Sequence, residues 1–294
     1  MSTLDSGLRA WIHNNLDRGC TPESMVEAMV VAGHARAFAW QAVPTVIAER
    51  RESIAGNDAP ASAMVSRARV PEPLPVPTEA FVETSDRRVR VVMSLNLPRV
   101  IVFADVLSAE ECDELIRLSA VKLQRSRIVD PATGAESEHD ERTSHGTYFL
   151  LNENPLVATI DRRLSDLMRW PVENGEGLQI LHYTKGGEYK PHFDYFSPND
   201  PGSGAHISKG GNRVGTMVIY LSDVEAGGAT VFPDAGIQVT PVKGNAVFFS
   251  YDTPTPANLT LHGGAPVERG EKWIATKWVR EHAYTDPDAT DEPR

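Results

Sequence analysis

From residue 178 onwards, this chain is a succession of short apolar or alternating segments separated by glycine and proline turns. Short segments of this kind are typical of β-strands, because alternate side chains of a strand point to opposite faces. Many short strands with such turns favour a sandwich or jelly roll over a parallel α/β sheet. The predicted strands are Leu178–Tyr183, Tyr189–Phe193, Val214–Leu221, Thr230–Phe232, Ile237–Thr240, Ala246–Ser250 and Trp273–Val279.

The rest of the chain divides into regions of different composition. Apolar residues at helical spacing predict a small helical region over residues 1–51, which either packs on the main domain or serves as a docking module. Residues 52–79 are rich in proline and predict an extended linker, and residues 285–294 form an acidic tail. Residues 80–284 add two amphipathic helices to the strands, so we expect one α+β domain there.

Charge and composition argue against several classes of function. The net charge is −11 and no cluster of Lys and Arg stands out, so we expect no nucleic-acid binding. No apolar run approaches the roughly 20 residues of a membrane-spanning helix. The first residues lack the pattern of a secretory signal, and the two cysteines, Cys20 and Cys112, lie in different segments, as is typical of reduced thiols. We expect a cytoplasmic protein without membrane contact, and its oligomeric state is left open.

Three candidate metal ligands lie in the strand-rich half of the chain: His192, Asp194 and His262. His192 and Asp194 share one face of a predicted strand because they are two residues apart. We expect His262 at the end of another strand, on the same face as Thr260. Two histidines and one carboxylate form a facial ligand set that leaves three octahedral positions open, which is typical of non-haem Fe(II) oxygenases.

A zinc hydrolase is the alternative for the same three ligands. Such an enzyme needs a general base beside the metal, and no glutamate follows either histidine as in a His-Glu-x-x-His helix. The ligand set therefore favours iron over zinc.

Lys272 follows His262 by ten residues and begins a stretch in which side chains alternate cleanly. An unpaired lysine on an inward strand face is costly to bury. A bound dicarboxylate would stabilise it through a charge-assisted hydrogen bond, whereas the alternative is a lysine that reaches solvent at the strand end. Beside an iron site, we expect Lys272 to hold an acidic cosubstrate.

Residues 98–284 resemble the prolyl 4-hydroxylase family of 2-oxoglutarate/Fe(II)-dependent dioxygenases, in a bacterial form with an additional N-terminal helical region. The resemblance is carried by several motifs in a specific order and spacing. These are LQILHYTKGGEYKPHFDYF at 178–196, RVGTMVIYLSDV at 213–224, GGATVFP at 227–233, HGGAPV at 262–267 and Lys272-Trp273, with Arg142-Thr143-Ser144 upstream.

The resemblance implies a double-stranded β-helix (jelly roll) core with supporting helices, and it implies roles for individual residues. Fe(II) would be bound by His192, Asp194 and His262. Lys272 would bind the distal carboxylate of 2-oxoglutarate, with Tyr183 and Thr216 as hydrogen-bond partners. Tyr189 and Trp278 would line the substrate side, although plain core packing explains these two equally well.

The reaction implied by the resemblance is hydroxylation of an unactivated C–H bond, with O₂ and 2-oxoglutarate consumed and succinate and CO₂ released. L-Ascorbate is the expected reductant of the iron. Proline in a peptide or protein is the expected substrate. The alternatives are the same chemistry on another protein residue or a small molecule, and a non-catalytic binding module on the same fold. Residues 197–211, rich in Gly, Ser and Pro, are expected to form a loop over the site.

Overall fold

The computed structural model describes residues 4, 6–17, 22–36, 38–40, 42–47, 68–74, 79–129, 132–133, 135–138 and 142–284. The chain divides into two compact units, Met1–Met64 and Val65–Arg294. The division falls inside the predicted linker, residues 52–79. Most of that linker and the predicted tail, residues 285–294, lie outside the described residues.

The smaller unit contains helices at most of its described positions, as the apolar spacing predicts. It contains α1 (Ser6–Asp17), α2 (Pro22–Val31) and a third helical segment at residues 36, 38–40 and 42–47. These helices share a core of their own, formed by Ile12, Met25, Val26, Met29, Ala39, Ala42, Val43 and Val46.

The larger unit is an antiparallel β-structure with supporting helices. Its helices are α3 (Ala109–Ala120), α4 (Pro155–Met168) and the short α5 (Ser203–Ile207). Its strands are β1 (Phe81–Glu83), β2 (Arg88–Leu95), β3 (Arg99–Ala104), β4 (Gln124–Arg125), β5 (Arg127–Val129), β6 (Glu136–Glu138), β7 (His145–Phe149), β8 (Leu178–Tyr183), β9 (Tyr189–His192), β10 (Arg213–Tyr220), β11 (Ala226–Gly227), β12 (Thr230–Phe232), β13 (Ile237–Val239), β14 (Ala246–Ser250), β15 (His262–Gly264), β16 (Val267–Arg269) and β17 (Lys272–Arg280).

Two sheets build the barrel. One has nine strands in the order β1-β2-β3-β14-β10-β17-β8-β7-β4, and the other has four in the order β13-β12-β15-β9. Along β10, Met217 and Ile219 belong to the core shared with α3 and α4, while Val218 and Tyr220 belong to the core shared with the four-stranded sheet. This alternation places the large sheet between a helical layer and the second sheet, the jelly-roll arrangement that the sequence predicts.

Capping residues explain where the two long helices begin. Ser108 and Glu111 form the capping box that starts α3. Asn154 caps α4 by accepting a hydrogen bond from the backbone of Val157, and α4 ends where Arg169 adopts a left-handed conformation. Both helices pack on the outer face of the large sheet, away from the inner core.

The structure differs from the sequence-based expectation in three segments. Residues 256–258 form a 3₁₀ turn and Leu259 has a φ of 57°, so a strand begins at His262 instead of ending there. The predicted loop 197–211 contains α5. Within the predicted linker, Leu74 is buried in the core of the larger unit and Glu72 pairs with Arg99. This part of the linker is therefore packed on the larger unit, since its apolar and charged residues contact that unit.

Candidate active site

Strand pairing brings the three predicted metal ligands together. β9 and β15 run antiparallel, with His192 directly opposite His262, and Asp194 follows β9. The Nε2 atom of His192 lies 3.6 Å from Asp194 Oδ1, and that of His262 lies 3.4 Å from Asp194 Oδ2. One ligand atom from each residue lies within 4.8 Å of the others, so the three atoms can surround a single ion.

The other nitrogen of each histidine is held by a backbone carbonyl. His192 Nδ1 lies 2.8 Å from the carbonyl oxygen of Lys190, and His262 Nδ1 lies 3.0 Å from that of Thr260. Because a carbonyl can only accept, each Nδ1 donates and carries the proton. Both Nε2 atoms therefore present a lone pair toward the Asp194 carboxylate, the tautomer that a metal requires.

Burial and neighbouring charges set the protonation states of His262 and Asp194. Burial lowers the pKa of His262 to about 4, although Asp194 opposes this shift, so the imidazole is neutral. For Asp194, burial raises the pKa, but His262, His192 and Arg213 together outweigh it and hold the pKa of the carboxyl well below its usual range. Two histidines that present their Nε2 atoms and one ionised carboxylate form a ligand set that suits non-haem Fe(II).

Thr216 contacts the metal-ligand carboxylate. Its Oγ1 donates to Asp194 Oδ2 at 2.7 Å and lies 3.0 Å from the hydroxyl of Tyr251. The expected contact between Thr216 and 2-oxoglutarate stays a prediction. In the structure the Thr216 hydroxyl faces Asp194, and Thr216 is not among the residues that line the cavity around Lys272.

Behind the triad lies a narrow inner cavity that contains Lys272. The side chain is only 3% exposed, and its ammonium has no hydrogen-bond acceptor or carboxylate partner in the described part of the chain. It lies 5.5 Å from the ring centre of Tyr183 and 6.0 Å from that of Tyr220. Burial lowers the pKa of Lys272 to about 8. A buried, unpaired cation beside a metal triad fits an anionic cosubstrate.

Tyr183 and Thr230 share this inner cavity with Lys272. Tyr183 is the predicted neighbour, on β8 directly opposite Lys272. Thr230 was missed by the sequence reasoning, and its Oγ1 accepts a hydrogen bond from the Tyr220 hydroxyl at 2.8 Å. The available signal is that Thr230 lies two residues before the apolar Phe232 on a predicted strand, so both face the core.

In front of the triad lies an open cleft of about 920 Å³. Tyr189 and Trp278, predicted on the substrate side, both line it. The Tyr189 ring stacks on His192 with ring centres 3.7 Å apart. Trp278 lies under the guanidinium of Arg213, whose carbon is 4.1 Å from the ring centre. Both aromatic residues thus lie at the boundary between the triad and the cleft.

A buried ion-pair network supports this boundary, and the sequence reasoning missed it. Arg213 donates to both carboxylate oxygens of Glu176, at 2.7 and 2.8 Å, and to the carbonyl oxygen of Asp194 at 3.4 Å. Arg280 also donates to Glu176, and its Nη1 donates to the carbonyl oxygens of His206 and Gly211. The network ties the metal-ligand backbone to the segment that carries α5.

The segment that carries α5 borders the cleft, in agreement with the expected position of residues 197–211 over the site. Its cleft-lining residues are Ser197, Asn199, Asp200, Gly202, Ser203 and Lys209. The ring of His206 stacks on Phe196 with centres 4.9 Å apart. No helix in the described ranges is long and apolar enough to cross a membrane.

Comparison with known proteins is consistent with this geometry. The model of the 2OG-Fe(II) oxygenase superfamily matches residues 178–280. The chain is 39% identical over 208 residues to probable prolyl 4-hydroxylase 10 of Arabidopsis thaliana, covering 64% of this chain and 70% of the relative. It is 40% identical over 210 residues to prolyl 4-hydroxylase 2 of the same plant, covering 64% and 69%.

A solved structure of the viral collagen prolyl hydroxylase from Paramecium Bursaria Chlorella virus-1, in its 2OG complex, is also similar to this chain. The identity is 28%, the similar region covers 61% of this chain and 94% of that one, and the TM-score is 0.47.

Proposed function

This chain belongs to the prolyl 4-hydroxylase-like family of 2OG-Fe(II) oxygenases, and we propose that it hydroxylates proline in a peptide or protein. Membership of the family makes it a 2-oxoglutarate-dependent dioxygenase that uses Fe(II). The observation that carries the proposal is the unpaired ammonium of Lys272, buried behind the His192, Asp194 and His262 triad. Iron accounts for the triad of ligands, and a dicarboxylate cosubstrate accounts for the buried ammonium.

Iron held by the triad would supply the oxidising chemistry that couples decarboxylation of 2-oxoglutarate to hydroxylation of the substrate. The chain itself orients and shields the reactants. The carbonyls of Lys190 and Thr260 fix the two histidine rings, and Thr216 fixes the carboxylate of Asp194. Lys272 would bind the distal carboxylate of the cosubstrate. The apolar side chains of Leu181, Val218 and Ile274 line the same cavity and would limit the entry of water.

The dimensions and lining of the cleft are compatible with a peptide substrate. A volume of about 920 Å³ on the open side of the triad accommodates an extended chain segment. Trp278 Nε1 is buried at this wall without an acceptor among the described residues, so a substrate carbonyl could accept its hydrogen bond. The curated relatives are described as prolyl 4-hydroxylases, and this supports proline as the target residue.

Two further features belong to the proposal. L-Ascorbate is proposed as the reductant that returns iron to its ferrous state, on the strength of the family resemblance. A cytoplasmic location is proposed because the two cysteines, Cys20 and Cys112, lie in different segments of the sequence and Cys112 is a free thiol, as is common in compartments that keep thiols reduced.

Succinate formation from 2-oxoglutarate tests the proposed function. The protein is loaded anaerobically with Fe(II), exposed to O₂, and assayed with and without proline-rich peptides. Peptide-stimulated turnover with one added oxygen located on proline by mass spectrometry is the expected result. Turnover that no peptide stimulates would retain the dioxygenase and reject proline as its target. No turnover under any condition would favour a binding module on the same fold.

A further inference from the structure

Positive charge lines the outer cleft of a protein whose net charge is −11. Cationic side chains outnumber acidic ones in the lining. The cations are Arg125, Arg142, Lys190, Lys209 and Arg213, and the acids are Glu176, Asp194 and Asp200. The lining of the cleft thus carries an excess of positive charge, whereas the whole chain carries a net negative charge.

Most of the acidic charge in the cleft is already committed. Glu176 accepts hydrogen bonds from two buried arginines, Arg213 and Arg280. Asp194 faces the two histidines of the triad. Asp200, on the segment that carries α5, is the acid that remains to oppose the cations of the cleft.

Arg125 and Lys209 are the cleft cations that lack an acidic partner in the part of the chain the structure describes. Among the described residues, the guanidinium of Arg125, on the edge strand β4, contacts only the carbonyl oxygen of Ser144, at 3.5 Å. Lys209 follows α5, and its ammonium contacts no carboxylate there. Lys190, by contrast, pairs with Glu188 at 2.8 Å. Two half-buried cations from separate elements are therefore available to a cleft occupant.

We propose that the enzyme selects peptides that carry Asp or Glu beside the target proline, and that Arg125 and Lys209 determine this specificity. The inference rests on the proposed prolyl hydroxylation. A partly desolvated carboxylate on the peptide gains from two unpaired cations, while a lysine beside the proline is repelled by them. Outside the cleft, the negatively charged surface repels an acidic peptide. Such a peptide is attracted only inside the cleft, where cationic side chains outnumber acidic ones.

The test compares matched peptides on one enzyme preparation. Each peptide has a single proline and flanking glycines interspersed with Glu, Gln or Lys. The measured quantity is the ratio of kcat/KM for the Glu peptide to that for the Lys peptide, with the hydroxylated residue identified by mass spectrometry. This ratio does not depend on the fraction of folded or iron-loaded enzyme, because both peptides meet the same preparation.

The variant Arg125→Glu/Lys209→Glu reverses the two charges. A matched control, Arg162→Glu/Lys185→Glu, makes the same change in net charge at two exposed residues that do not line the cleft. We expect the wild type and the control to prefer the Glu peptide by about tenfold, and the cleft variant to prefer the Lys peptide. At about 1 M salt the wild-type preference should shrink toward one, because surface charges are then screened within about 3 Å.

The outcomes separate this inference from the proposed function. Proline hydroxylated equally in all three peptides, or a cleft variant that behaves like the control, would overturn the specificity and leave prolyl hydroxylation intact. A preference that survives high salt unchanged would also overturn it. Turnover of 2-oxoglutarate with no peptide hydroxylated on proline would overturn both.

Discussion

Lys272 and Tyr183 lie directly opposite each other on the antiparallel strands β17 and β8, and the Lys272 ammonium is 5.5 Å from the centre of the Tyr183 ring. The face of an aromatic ring attracts a cation, but it compensates for lost hydration far less than a carboxylate does. The ring therefore leaves the Lys272 ammonium without a compensating negative charge, so an anion that enters the cavity can pair with it.

Replacing Lys272 by Met is expected to impair cosubstrate binding without weakening the fold. The KM for 2-oxoglutarate should rise about 100-fold, since a hydrogen bond between two charged groups is lost. The free energy of unfolding without 2-oxoglutarate should not fall, because an unpaired buried charge is removed. Steady-state kinetics and urea unfolding measure the two effects.

Lys277 is the matched control for this prediction. It lies on the same strand but faces the helices, and its ammonium is 2.7 Å from the buried Asp161 carboxylate. Lys277→Met should therefore lower the free energy of unfolding by about 3 kcal/mol and leave the KM for 2-oxoglutarate unchanged. Identical behaviour of the two variants would show that Lys272 has no special role.

The affinity for 2-oxoglutarate should depend on pH through Lys272. Burial lowers the pKa of Lys272 to about 8, so the free enzyme loses this charge as the pH rises through 8. We expect a constant KM for 2-oxoglutarate below that pH and, above it, a rise that approaches about tenfold per pH unit. The Lys272→Met variant should show no such rise in the same pH series, and a wild-type KM that stays flat to pH 10 would contradict the assignment.

The stability of the free enzyme should change with pH in the opposite sense. The pKa of Lys272 is lower in the folded state than the value of about 10.4 in an unfolded chain, so the unfolded state binds more protons between these values. The penalty for burying a charged lysine is fully present below pH 8 and is relieved as the pH rises toward 10. The difference in unfolding free energy between wild type and Lys272→Met should therefore narrow over this window.

Thr216 and Thr230 should separate metal binding from cosubstrate binding. Thr216→Val removes the hydrogen bond to Asp194 Oδ2 and should weaken Fe(II) binding or activity by about 10- to 100-fold, with little effect on the KM for 2-oxoglutarate. Thr230→Val changes the lining of the inner cavity and should mainly raise that KM. Iron titration and 2-oxoglutarate kinetics on both variants measure these effects. A raised KM for 2-oxoglutarate in Thr216→Val, or weaker Fe(II) binding in Thr230→Val, would contradict the two assignments.

Replacing His192 by Ala should abolish succinate formation and weaken Fe(II) binding, because two ligands no longer define a facial set. His282→Ala is the control, since His282 is exposed and lies outside the triad. Iron content after dialysis and succinate yield are the two measurements. An unchanged yield in His192→Ala would place the metal elsewhere.

The sequence predicted those features of the site that local spacing determines. His192 and Asp194 are two residues apart on one strand, and Lys272 occupies an inward position of a clearly alternating strand, so period-two patterning was enough to place them. The alternation pattern predicts which face of the strand a side chain occupies. It does not predict which residues that side chain contacts at its position along the strand. Thr216 and Val218 share a face of β10, yet Thr216 meets Asp194 whereas Val218 lines the inner cavity.

Contacts between distant segments could not be predicted in this way. Thr230 belongs to a strand of three residues in the opposite sheet, too short for its depth in the barrel to be inferred. Glu176 precedes Arg213 by 37 residues, and their contact depends on β8 and β10 lying in one sheet. The strand that begins at His262 also depends on the positive φ of Leu259, which no local pattern indicates.

The inner cavity and the outer cleft share five lining residues, which are Arg142, Tyr189, His192, Asp194 and Trp278. A peptide seated in the cleft therefore covers the approach to the deeper chamber. We expect an obligatory order of events, in which the small acid enters first, the peptide follows, and succinate departs only after the hydroxylated chain has left.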